Sequence, residues 1–257
     1  MADRPIALVT GASSGIGAAF ARQLAERSHD LVVVARDVTR LEKLAADLPG
    51  VDVEILGADL QQDDQLAAVE ERLAAVDRPV DKLINNAGYG TAGNFPELDI
   101  DRECGQIELN IRALVRLSHA AARGMVERRR GGILNIGSVG SFQPSPFNAV
   151  YSATKAFVLS FTEAIHEELK PHGVHVTCLC PGFTVTEFQE RAGIDETAVP
   201  GFLRQDAETV ARVGLRALDR NAAVRVAGVP NKGAVALERI LPRVVVRKMA
   251  GAVTKRF

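Results

Sequence analysis

Tyr151 and Lys155 stand four positions apart, a spacing that places both side chains on one face of a helix. A free phenol ionises near pH ~10, too high for base work at neutrality. A cation held beside it favours the phenolate and brings that value down, so the pair is a candidate proton donor and acceptor. A second constellation lies near the start of the chain, where Gly11, Ser13, Ser14, Gly15, Ile16 and Gly17 fall in the run TGASSGIG. It follows a strand-length apolar run and opens a helix-period stretch. Glycines in that setting permit a tight turn and let a pyrophosphate approach backbone N–H groups at a helix N-terminus. The two serines add hydroxyl donors; the plainer alternative is turn chemistry alone.

The second apolar run ends in Ala35 and Arg36. Enzymes that bind NAD place an acid about 20 residues past such glycines to hold the ribose hydroxyls. A small residue followed by a guanidinium suits a 2′-phosphate instead, and points to NADP(H) as cofactor. The alternative is a solvated arginine paired with Asp37. The third run leads to Asp59 and Leu60, where a carboxylate can accept from an adenine amino group or cap a helix.

These residues need elements to hold them. Ile6–Val9, Leu31–Ala35, Val51–Leu56, Lys82–Ile84, Ile133–Ile136 and His175–Leu179 read as strands. Most are continuous in apolarity rather than alternating, as expected of strands buried on both faces of a parallel sheet. Ile16–Arg27, Arg40–Leu48, Asp64–Val76, Ile107–Arg128 and Ala153–Lys170 read as helices between them. The repetition predicts an α/β fold, a single-domain Rossmann-type doubly wound parallel sheet with helices on both faces. Gly11, Arg36, Asp59, Asn85, Ser138 and Pro181 then each fall at or just past the carboxyl end of a strand. In an open parallel sheet those ends share the edge where ligands bind.

The chain has 257 residues, 47% of them hydrophobic and 25% charged, with a net charge of -1. One domain of that length buries a large core, and the overall charge predicts no nucleic-acid partner. Cys178 and Cys180 alternate along a strand and read as small core hydrophobes, with Cys104 left over. None of the five histidines has an acid or cysteine at ligand spacing, so no metal is expected. The N-terminus enters a strand at once and no 18-residue apolar run occurs, which sets the expectation of a cytoplasmic protein without signal peptide or span.

The chain resembles the short-chain dehydrogenase/reductase family over essentially its whole length. The resemblance rests on TGASSGIG at 10–17, NNAG at 85–88, Asn110, Ser138, YSATK at 151–155 and PGFTVT at 181–186, in order and spacing. It implies an NADP(H)-dependent oxidoreductase that interconverts a ketone or aldehyde and an alcohol. Hydride transfer to a carbonyl leaves an alkoxide that needs a proton, which Tyr151 would give. The resemblance implies that Ser138 hydrogen-bonds the substrate oxygen. It further implies that Lys155 also binds the nicotinamide ribose, and that Asn110 holds a water linking Lys155 to solvent. Asn86, Ala87, Gly88, Pro181, Gly182, Thr184 and Thr186 join the implied cofactor set; Thr184 stands where the family has a β-branched aliphatic. Taken singly, Tyr151 reads equally as a core tyrosine, Ser138 as a strand-end hydroxyl and Asn110 as a helix-bending polar residue. The family also implies a homodimer or homotetramer formed through the long helices.

Residues 187–205 mix breakers with polar residues and are expected to form a substrate lid. Tyr89, Phe95, Phe142, Phe147, Phe183 and Phe188 are expected pocket residues, favouring a lipophilic or aromatic carbonyl. Residues 233–257 form a basic amphipathic extension split by Pro242. From Val224 onward the chain carries eight Lys/Arg and one acid, +7 against -8 for the remainder. The extension packs against the body or a partner subunit, or makes weak contact with a membrane surface. Two other classes remain at this level: a cofactor-sensing regulator, which the intact Ser138, Tyr151 and Lys155 set disfavours, and a membrane-peripheral assembly protein acting through that tail.

Overall fold

The computed structural model describes residues 4–192, 200–238 and 241–254. β1 (Ile6–Thr10) is an unbroken apolar run ending in Thr, and every residue in it is buried. Such a strand needs cover on both faces. That cover comes from α1 (Gly15–Glu26), β2 (Asp30–Ala35), α2 (Val38–Ala46), β3 (Val53–Gly57) and α3 (Asp63–Ala74), and then β4 (Val80–Asn85). A long helical stretch follows: α4 (Ile100–Ile107), a π-helical turn over Glu108–Ala113, and α5 (Leu114–Arg128). β5 (Gly131–Ile136), α6 (Ala149–Leu169) and β6 (Val174–Cys180) complete the central part. After α7 (Glu187–Ala192) come α8 (Ala207–Asp219), β7 (Val224–Val226), α9 (Val229–Glu238) and α10 (Arg243–Thr254).

Among the described residues seven strands form one parallel sheet, in the order β3-β2-β1-β4-β5-β6-β7. Strand order reverses between β1 and β4, and that switch point opens a crevice beyond the carboxyl ends. The two faces separate with the strand period. Ala7 and Val9 join Phe20, Leu24, Leu41 and Leu215 in one layer, whereas Ile6 and Leu8 join Leu66, Val69, Leu117 and Met125 in the other. Leu8 is fully buried, a burial that stabilises by roughly 1.5–3 kcal/mol.

Within this frame a polar network ties β4 to β5. Asn85 and Asn135 are register partners. Asn85 Nδ2 donates to Asn135 Oδ1 at 2.9 Å and to Ser118 Oγ at 3.0 Å, and Asn135 Nδ2 donates to Thr162 Oγ1 at 3.0 Å. One buried cluster thereby fixes α5 and α6 against the sheet.

Boundaries differ from the expectations in two places with a physical cause. The helical stretch begins at Ile100 rather than Ile107, capped by Asp99, which accepts from Asp101 N and Arg102 N. The π-helical turn adds a residue to one turn and shifts the apolar phase across the join, so the first part does not read in register with the second. α6 starts at Ala149 rather than Ala153, which places Tyr151 inside it.

Candidate functional site

The glycine loop is built around Thr10. Its Oγ1 accepts from Asn86 N and Ala87 N, both at 3.0 Å, and donates to Ile84 O at 3.3 Å. Asn86 Nδ2 donates to the carbonyls of Thr10 and Gly11 at 3.0 and 3.2 Å. The Asn86 side chain is thus spent on holding the loop. Gly11 and Gly15 have φ of +66° and +54°, the left-handed region that favours glycine. Gly17 also has a packing role. It does not line the cavity; a Cβ there would stand 2.2 Å from Gly11 O and 2.5 Å from Asn86 Nδ2. Gly17 thus allows close approach of helix to turn.

A cavity of about 1170 Å³ runs from this loop along the carboxyl edge of the sheet. At one end it is lined by Ser13, Ser14, Gly15, Ile16, Arg36, Asp59 and Leu60. Arg36 is 71% exposed in its side chain, with its guanidinium 4.0 Å from Asp59 Oδ2. Asp37 is not its partner: it caps α2 by accepting from Arg40 N and pairs with the Arg40 side chain at 3.3 Å. Asp59 is not the cap of α3, whose N-cap is Gln62; its Oδ1 accepts from Gln61 N at 3.1 Å.

The other end holds Ser138, Tyr151 and Lys155. Lys155 is 5% exposed, and its Nζ donates to Ile136 O at 2.8 Å. Burial lowers its pKa to about 8, opposed by the nearby thiols of Cys178 and Cys180. Nζ lies 5.7 Å from the centroid of the Tyr151 ring. Burial raises the Tyr151 phenol to about 12, and a hydrogen bond with Ser138 pulls the other way. The expectation that Lys155 brings the phenol below its ordinary value is therefore corrected. Lys155 is buried and Tyr151 partly so, and desolvation is the leading cause of both shifts. The amine is turned toward a backbone carbonyl rather than the phenol oxygen.

Ser138 Oγ accepts from Gly140 N at 3.0 Å, capping a short turn after β5. Asn110 lies in the π-helical turn and is 1% exposed. Its Nδ2 donates to Tyr89 O at 3.0 Å and Thr154 Oγ1 at 3.1 Å, while Oδ1 accepts from Tyr89 N at 3.2 Å. A Cβ on Gly88 would meet Asn110 Oδ1 at 2.8 Å and Lys155 Nζ at 3.6 Å. Asn110, Gly88 and Lys155 therefore meet behind Tyr151.

Pro181, Gly182, Phe183, Thr184, Thr186 and Phe188 form the wall that follows β6. Phe188 stands 5.5 Å from Tyr151, ring to ring. Tyr89 and Phe147 also line the cavity; Phe95 and Phe142 do not. Phe95 is 56% exposed, and Phe142 packs on the cluster of Val158, Cys178 and Cys180. In the expected lid, residues 193–199 lie outside the described residues. Its last residue is tied to the chain just before the lid: Val185 N donates to Gln205 O, and Gln205 N to Phe183 O, both at 2.9 Å.

Two contributors had no assignment in the sequence. Thr10 sits inside the glycine motif, which was the available signal. Arg40 NH1 contacts both oxygens of Glu187 at 2.8 and 2.7 Å, joining α2 to α7; their separation of 147 positions left none. Among the described residues no cluster of three or more His, Cys, Asp or Glu is placed to hold a metal ion, and no helix is long and apolar enough to cross a membrane.

The short chain dehydrogenase family model matches residues 5–197. Among solved structures, the short-chain dehydrogenase from Sphingobium yanoikuyae in complex with NADPH is 40% identical. It covers 93% of this chain and 97% of its own, with a TM-score of 0.83. The bulky-bulky ketone specific alcohol dehydrogenase from Comamonas testosteroni is 35% identical over 91% of this chain and 92% of its own, at a TM-score of 0.79. The very-long-chain 3-oxoacyl-CoA reductase of Phaeosphaeria nodorum is 36% identical over 182 residues, 67% of this chain. The chain spans only about half of that protein's length, 53%. With a family model matched over most of its length and a full-length structural relative, this chain belongs to the short-chain dehydrogenase family.

Proposed function

We propose that the chain is an NADP(H)-dependent oxidoreductase that interconverts a ketone or aldehyde and an alcohol, with a lipophilic or aromatic carbonyl as substrate. One observation carries the reading: a single cavity joins the glycine loop and Arg36 at one end to Ser138, Tyr151 and Lys155 at the other. The left-handed glycines and the serines beside them fit a pyrophosphate, and exposed Arg36 fits a 2′-phosphate. The likeness to a relative described in complex with NADPH supports the same cofactor. Phe183, Phe188, Phe147 and Tyr89 give the reaction end an apolar lining, and the likeness to an enzyme specific for bulky ketones supports that substrate class.

When bound, the nicotinamide supplies or accepts the hydride. The residues of this chain manage the oxygen and its proton. Tyr151, at about 12, holds its proton through the neutral range, which readies it to donate to an alkoxide. Ser138 Oγ steadies the same oxygen by hydrogen bonding. Lys155 supplies positive charge behind the phenol and a donor for the ribose, and Asn110 keeps the turn that shapes this corner. The test is NADPH oxidation against a panel running from small ketones to acyl and sterol ketones. Tyr151→Phe should keep fold and NADPH binding yet lose at least ~100-fold in turnover, the scale of general acid catalysis. Near-full activity in that variant would overturn the reading.

A further inference from the structure

We propose that α9 and α10 dock this protein reversibly on anionic lipid bilayers. α10 is apolar on two sides. Val246 and Ala250 are each 6% exposed and face the body. A Cβ on Gly251 would lie 3.3 Å from Pro146, in the loop whose neighbours Ser145 and Phe147 line the cavity. On the other side Val244, Val245 and Met249 are 53%, 40% and 51% exposed. At 3.6 residues per turn, Val244, Lys248, Val245 and Met249 follow one another round an arc of roughly 140°, with Arg243 and Arg247 beside it. α9 adds Val229 at 79% and Leu237 at 51% exposure.

A helix with apolar residues both inward and outward is not an ordinary surface helix, which keeps one polar face. Lys248 lies inside the exposed apolar arc. A dry protein contact would bury its charge, whereas at a bilayer surface its stem lies among the apolar neighbours and its ammonium reaches the headgroups. Charge selects the lipid. The stretch from Val224 onward carries +7 against -8 for the remainder, so the tail is drawn to an anionic surface and the body is kept off it. Docking by this face holds the cavity-lining loop beside the bilayer. The proposal does not require the activity argued above.

The full-length protein is co-sedimented with vesicles of phosphatidylcholine alone, or mixed about seven to three with phosphatidylglycerol. At low salt the anionic vesicles should bind at least ~10-fold more protein, and most of that binding should vanish near ~0.5 M salt as charges are screened. Each basic residue near such a surface contributes roughly fivefold in partitioning, so Arg247→Glu with Lys248→Glu should cost at least ~25-fold. Val244→Ser with Val245→Ser and Met249→Ser should also abolish binding; all five side chains are exposed, and NADPH binding in each variant reports that the fold is kept. Equal binding to both vesicle types, or undiminished binding by either variant, would overturn the proposal. So would absence of vesicle binding together with conversion of an oligomer to monomer by the serine variant, which would assign the face to a second copy. Turnover of a water-soluble ketone without vesicles is read separately, so its failure sinks the proposed activity and leaves this result standing.

Discussion

The Lys155 ammonium points at the carbonyl of Ile136, 2.8 Å away, and stands 5.7 Å from the centroid of the Tyr151 ring. Its pKa of about 8 lies well below the ordinary 10.5. The charged form is thus disfavoured in the folded state, and that cost is present in full below pH 8. It fades as pH rises from about 8 to 10.5, because the unfolded chain binds the extra proton there. Replacing Lys155 by Met should therefore stabilise the fold most at pH 7.5, by about 3 kcal/mol at most, and least near pH 10.5. Urea unfolding of both proteins across that range checks this. In the reductive direction kcat/KM should be level below about pH 8 and fall above it as Lys155 loses its charge.

Ser138 has two duties that separate on mutation. Its Oγ caps the turn after β5 through Gly140 N, and it faces the cavity beside Tyr151. Ser138→Ala should cost ~1 kcal/mol in stability as a lost cap. It should cost ~100-fold or more in kcat as a lost oxyanion donor. A thermal melt and steady-state kinetics on one preparation give both values.

Cofactor choice turns on Arg36. A 2′-phosphate there would gain charge-assisted hydrogen bonds worth about 1.5–3 kcal/mol each. NADPH should be preferred over NADH by at least ~10-fold in kcat/KM, and Arg36→Ala should erase most of that. Ala35→Asp added to it should reverse the preference. Because Arg36 is 71% exposed, the preference should shrink as salt rises. Equal efficiency with the two cofactors in the unmutated protein would refute the role of Arg36 alone.

The Asn85–Asn135 pair predicts a stability effect remote from the cavity. Asn135→Leu removes one of the two acceptors of Asn85 Nδ2, which keeps Ser118 Oγ, and the donor to Thr162 Oγ1, which keeps its bond to Val158 O. Each buried bonding position left unmet costs about 1–3 kcal/mol, so the variant should lose ~2–5 kcal/mol in urea unfolding. Turnover per folded molecule should fall as well, because Thr162 lies on the helix that carries Tyr151 and Lys155.

The sheet was legible because most of its strands, Ile6–Val9 and Leu31–Ala35 above all, are continuous apolar runs, and only double cover makes such runs stable. Their ends were less so: β3 begins at Val53 rather than Val51 and is only half-buried, so burial does not mark its limit. The polar positions along the carboxyl edge were legible from their place after each strand. The ionisation of Tyr151 was not. Spacing reveals that Lys155 is near, but not how far burial raises the phenol and lowers the amine. Nor does spacing reveal the Arg40–Glu187 contact, which depends on where α7 leaves the end of β6.

The three glycines of the first loop answer to two different pressures. Gly11 and Gly15 are set by backbone conformation beside the cavity, Gly17 by the 2.2 Å its Cβ would leave to Gly11 O. A side chain at 17 must push α1 off the turn whether or not any nucleotide is near. A variant library scored by catalysis alone would merge the two kinds of loss. Scored also for cofactor-free heat resistance, it would rank them by strain, a 2.2 Å backbone clash at 17 against left-handed φ at 11 and 15, within a single eight-residue motif.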